Sequence, residues 1–110
     1  MGSEQARDVL QGAIVDRILS VCSPQRIILF GSHARGDVGP DSDIDVLVIE
    51  EGVEHVRRES VRLRQALRGL PVPVDVIVAT PDHIRRYGDA VGLIYATALR
   101  EGKVLYERPS

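Results

Sequence analysis

The sequence predicts an α/β (α+β) fold: a mixed sheet of about four strands with helices packed against it. Three observations predict it. Segments with apolar residues at helical spacing alternate with short apolar runs rich in β-branched residues. Gly and Pro punctuate the junctions between them. The connector between the first two apolar runs, from Phe30 to Ile44, is short for a right-handed parallel crossover, so these strands are expected to pair antiparallel. A length of 110 residues is that of one domain, and a 44% hydrophobic composition excludes a disordered chain, so residues 1–110 are read as a single domain.

Residues 4–21 read as an amphipathic helix, with Ala6, Val9, Leu10, Ala13, Ile14, Ile18 and Val21 recurring at helical spacing. Ser3 is the expected N-cap and Pro24 closes the segment. Cys22 is alone, so neither an intrachain disulfide nor a Cys-based zinc site is expected, and it is read as a small core residue. Arg26 to Phe30 is a short buried strand, and Asp45 to Ile49 a second. Residues 53–68 form the next helix, with Val53, Val56, Leu63, Ala66 and Leu67 on one stripe. Its arginines read as a solvated face paired with Glu54 and Glu59, the alternative being a partner-docking face. Gly69 suits its C-terminal cap, and Pro71 prevents continuation. Residues 72–79 form a third strand, with Pro73 at an early or edge position. Thr80-Pro81-Asp82 is a helix start, for a short helix to about Tyr87. A further helix over 89–101 ends at Gly102, and Lys103 to Tyr106 is a last strand.

The chemistry concentrates between the first two strands. Gly31-Ser32 ends the first; Asp43-Ile44-Asp45 opens the second. Two carboxylates at i and i+2 on a strand point to the same face, which an ordinary buried strand avoids because like charges repel there. A hard divalent cation such as Mg²⁺ removes the conflict, since it takes carboxylate and phosphate oxygens together. Gly31 lets backbone N–H groups approach a phosphate, and the Ser32 hydroxyl donates a hydrogen bond to it. Arg35 is either a phosphate contact or a salt-bridge partner of Asp37 or Asp41. His33 reads as an exposed connector residue. Asp75 is an isolated acid in the apolar third strand: a solvent-facing charge at a strand end, or, beside the first pair, a third metal ligand.

Gly31-Ser32, ten residues, then Asp43-x-Asp45 resembles the signature of the DNA polymerase beta-like nucleotidyltransferase superfamily. The fuller string GSHARGDVGPDSDIDVLV and the ending GLIYATALREGKVLYER resemble its minimal nucleotidyltransferase (MNT) branch, the antitoxin-type partner of HEPN proteins. The resemblance covers nearly the whole chain. It implies a nucleotidyltransferase palm with Asp43, Asp45 and Asp75 as catalytic metal ligands for Mg²⁺, in a two-metal site. It implies nucleotide-binding positions Gly31, Ser32, Arg35 and Ser42, with ATP as substrate. The implied reaction is transfer of AMP to a tyrosine of a helical HEPN-type partner.

Two alternatives stand beside this reading. One is a non-catalytic nucleotide-binding subunit that neutralises a partner by binding alone. The other is a small-molecule nucleotidyltransferase, for an aminoglycoside-like acceptor, against which the lack of room for an acceptor domain weighs. A net charge of −2 argues against nucleic acid as the main partner. No apolar run approaches the length of a membrane span and no secretory pattern opens the chain, so the expected compartment is the cytoplasm. A homo-oligomer is left open.

Overall fold

The computed structural model describes residues 2–30, 43–82, 96 and 100–109. In chain order these form α1 (Gly2–Leu19), β1 (Arg26–Phe30), β2 (Ile44–Ile49), α2 (Val56–Ala66), β3 (Val74–Ala79) and β4 (Lys103–Glu107). Among the described residues the sheet has four strands in the order β3-β2-β1-β4. It is mixed: β1 runs antiparallel to β2 and β4, and β2 runs parallel to β3. The short connector leaves β1 and β2 antiparallel, as expected. Residues 50–73, with α2 at their centre, supply the long crossover that a parallel β2–β3 pair requires.

The β2–β3 ladder is closed at both ends. The Ile44 N–H donates to the Pro73 carbonyl at 2.9 Å, and the Glu50 N–H donates to the Ala79 carbonyl at 3.0 Å. Pro73 therefore stands just before an edge strand, where its missing N–H costs no ladder bond.

Strand alternation sorts β2 into two faces. Ile44, Val46 and Val48 join Ile14 and Ile18 of α1, Leu63 of α2 and its capping residue Leu67 in the main core. Leu47 and Ile49 belong to a second cluster on the opposite face, with Ile28 and Ala79. Both faces of β1 and β2 are thus apolar, which explains why these strands read as near-continuous hydrophobic runs.

The helices differ from expectation at their edges. α1 begins at Gly2, so Ser3 lies inside the helix and is not its N-cap. Val9 is 72% exposed and falls off the buried stripe, which is carried by Leu10, Ile14 and Ile18. α2 starts at Val56 rather than at residue 53, because a turn at Glu51-Gly52 precedes it, with Gly52 at φ +75°. Gly69, just beyond α2, has φ +90°, the left-handed conformation that favours glycine at a helix end. The arginines at 57, 58, 62, 64 and 68 are exposed, as a solvated face requires. Pro81 and Asp82 are helical after Thr80, in agreement with a helix start there, and Ala96, Arg100 and Glu101 are helical ahead of β4. The remainder of the two helices expected over 82–101 lies outside the described residues. No helix among the described residues is long and apolar enough to cross a membrane.

Candidate functional site

Asp45 is the second residue of β2 and lies directly opposite Asp75 of β3 in the parallel register. Neighbouring strands are about 4.8 Å apart, and register partners share a face, so the two carboxylates are placed side by side. Asp45 shares its face with Leu47 and Ile49, the side turned away from α1 and α2. Asp45 is half-buried, whereas Asp75, on the edge strand, is exposed. Asp43 is exposed and precedes β2 by one residue, so strand alternation does not fix its direction. The register thus brings Asp45 and Asp75 together, with Asp43 two residues upstream of the pair. Gly31, Ser32, Arg35 and Ser42 lie outside the described residues, as does His33.

The donor types suit a hard cation, although the oxygens of all three aspartates are not gathered within 4.8 Å of one another. Asp43, Asp45 and Asp75 offer only carboxylate oxygens, at a place open to water, and Mg²⁺ favours oxygen ligands while keeping some of its own waters.

A second acidic group occupies the other end of β2 and its other face. Glu50 immediately follows β2, continues the side of Val46 and Val48, and is only 8% exposed. Its Oε2 has no hydrogen-bond partner among the described residues. Cys22 Sγ and carboxylate oxygens of Glu50 and Glu59 all lie within 4.8 Å of one another. Burial pushes the Glu50 carboxyl up to about 7, helped by a hydrogen bond to Glu59 and by that group's charge. Burial likewise pushes the Cys22 thiol up to about 12, with the nearby Glu50 and Glu59 charges adding to it. Such a thiol is not a nucleophile at neutral pH. Arg62 grips Glu59 with two bonds of 2.8 Å, holding that carboxyl below its usual range, and donates a third to the Val21 carbonyl at 2.7 Å. From the sequence, Cys22 reads as a plain core residue outside any zinc site and Glu59 as a surface ion-pair partner, whereas the fold sets both against the buried Glu50. The three residues are distant in sequence, and only the packing of α1 and α2 over the end of β2 unites them.

The fold and the aspartate pair together define a class. The chain belongs to the nucleotidyltransferase domain family, whose model matches residues 14–105. A segment of 43 residues is 40% identical to the "Putative protein adenylyltransferase MJ0141" of Methanocaldococcus jannaschii; it covers 39% of this chain and 43% of that relative's length. The fold is shared with a chain from the crystal structure of a toxin–antitoxin with AMP-PNP, at a TM-score of 0.70 and 24% identity, over 89% of this chain and 73% of that one. It is also shared with a chain from a tri-AMPylated Shewanella oneidensis HEPN toxin in complex with MNT antitoxin, at a TM-score of 0.56 and 19% identity, over 92% of this chain and 72% of that one.

Proposed function

We propose that this chain is a single minimal nucleotidyltransferase domain that transfers AMP from ATP to a tyrosine hydroxyl of a helical HEPN-type partner in the cytoplasm, and so neutralises it. The observation that carries the reading is the register pairing of Asp45 with Asp75 on the face away from the helices. The name of the methanococcal relative, the AMP-PNP complex and the AMPylated HEPN toxin support an adenine nucleotide as substrate and a HEPN-type protein as acceptor, and the tyrosine is what the sequence resemblance implies.

Asp43, Asp45 and Asp75 would hold Mg²⁺. When bound, the metal supplies charge neutralisation for an in-line displacement at phosphorus. Asp45, half-buried at the start of a core strand, anchors the set and limits its movement. Asp75 stands on an exposed edge strand, where an acceptor hydroxyl can approach, and it takes that hydroxyl's proton directly or through one water. The hydroxyl oxygen bonds to the α-phosphorus as the bond from that phosphorus to the pyrophosphate oxygen breaks. Gly31 and Ser32 hold the distal phosphates so that pyrophosphate departs in line, with Arg35 and Ser42 as further nucleotide contacts.

The test is incubation with labelled ATP, Mg²⁺ and the HEPN-type partner, followed by mass spectrometry of the partner. An added AMP group that disappears with Asp43→Asn supports the reading. A partner inhibited at stoichiometric ratio but unmodified replaces it with neutralisation by binding alone. Rapid transfer to an aminoglycoside without any partner replaces it with small-molecule chemistry.

A further inference from the structure

The cluster at the far end of β2 has no part in the reaction above. Three elements build it. Cys22 follows α1, where its N–H donates to the Ile18 carbonyl at 3.0 Å. Glu50 is fixed by its N–H bond to Ala79 at 3.0 Å, and Glu59 sits in the first turn of α2. Their donor atoms, one sulfur and two carboxylate oxygens, lie within 4.8 Å of one another. Bonds of about 2.0–2.3 Å to a single tetrahedral ion would require a contraction of roughly 1 Å. The second observation is independent of that spacing. Glu50 is 8% exposed, and its Oε2 is buried without a hydrogen-bond partner among the described residues. A buried carboxylate oxygen without a partner is a place that a bound ion would satisfy.

We propose that Cys22, Glu50 and Glu59 form a second metal site, for a divalent ion of the Zn²⁺ class, separate from the aspartate site. A sulfur donor selects a borderline-soft ion over Mg²⁺, which demands oxygen ligands. Charge also closes. A thiolate and two carboxylates are matched by a divalent ion and the guanidinium of Arg62, whose fork on Glu59 occupies one lone pair on each oxygen and leaves another for the metal. Arg62 also donates to Val21, the neighbour of Cys22, so it orients two ligand-bearing segments as an outer partner. A cavity of about 390 Å³ lined by Glu50, His55, Arg58, Glu59 and Arg62 opens onto the cluster and offers a path in, with room for a water as fourth ligand. Binding releases the protons of the Cys22 thiol and the Glu50 carboxyl to solvent.

The experiment uses the full chain, stripped with a chelator, and Co²⁺ or Zn²⁺ alone as probe. Co²⁺ is expected to give a thiolate-to-metal charge-transfer band that Zn²⁺ abolishes and excess Mg²⁺ does not. Cys22→Ser loses the band, Glu50→Gln weakens binding tenfold or more, and Asp45→Asn keeps both band and affinity. Zn²⁺ raises the Tm of the parent chain but not of Cys22→Ser. Absence of the band in the parent chain, which needs no variant to fold, overturns the proposal. Persistence of the band in Cys22→Ser, or its loss in Asp45→Asn, does the same.

Discussion

Carboxylates stand at both ends of β2, Asp45 within it and Glu50 just beyond it, and the two ends differ in face, burial and company. Asp45 turns away from the helices and pairs across the sheet with an exposed Asp75. Glu50, five residues or about 16 Å further on, turns toward the helices and is enclosed by the ends of α1 and α2. The first pair keeps access to water, so its charges remain available to a solvated ion and a large substrate. The second is drawn into the edge of the core, where an unneutralised charge is expensive and a proton or a cation must compensate. The same residue chemistry at the two ends of one strand therefore serves different ends, and burial decides which.

The largest contrast comes from removing one charge at the open end. Asp45→Asn should lower AMP transfer by about 100-fold or more, beyond the 10–100-fold typical of outer partners of a metal, with Tm nearly unchanged. A matching collapse of Tm would mean that Asp45 serves the fold and not the chemistry. Next in size is its neighbour. Ile44 is 1% exposed and faces α1 and α2, so Ile44→Ala should cost about 2–5 kcal/mol in urea unfolding.

The closed end makes a pH-dependent prediction. In chelator-treated protein Glu50 is raised from 4.5 to about 7, so the folded state holds a proton that the unfolded state releases. Stability from this group is complete below its unfolded value and declines as pH rises through about 7. Glu50→Gln cannot ionise, so above pH 7 it should be more stable than the parent by on the order of 1 kcal/mol, with the difference shrinking toward pH 5. A difference that grows on acidification would reverse the assignment. The smallest effect belongs to a surface pair. Arg26 and Glu107 join β1 to β4 at 3.1 Å, with Glu107's side chain 59% exposed, and Glu107→Gln should change stability by about 0.5 kcal/mol or less.

The open end was legible in the sequence and the closed end was not. Asp43-Ile44-Asp45 is local, and an acid within VPVDVIVA stands out against its apolar neighbours, so the pairing of Asp45 with Asp75 could be anticipated. Connector length fixed the antiparallel β1–β2 pair for the same local reason. Helix boundaries were less legible: Ser3 has a capping side chain, but α1 begins one residue earlier, and after the Glu51-Gly52 turn α2 starts only at Val56, three residues later than the periodicity places it. Cys22, Glu50 and Glu59 are each unremarkable in their own segments. Their proximity depends on how two helices settle over one strand, which no single segment encodes.

The parallel alignment of β2 and β3 carries a consequence for how this domain can change length. Because alternate residues face opposite sides, a one-residue slip of β3 would turn Asp75 toward the helices and Val76 and Val78 away from them. Core and chemistry are thus locked to one phase. Insertions in the turn after α2, at residues 67–73, leave that phase intact and should be absorbed, whereas a single deletion within Val74–Ala79 should abolish folding and transfer together.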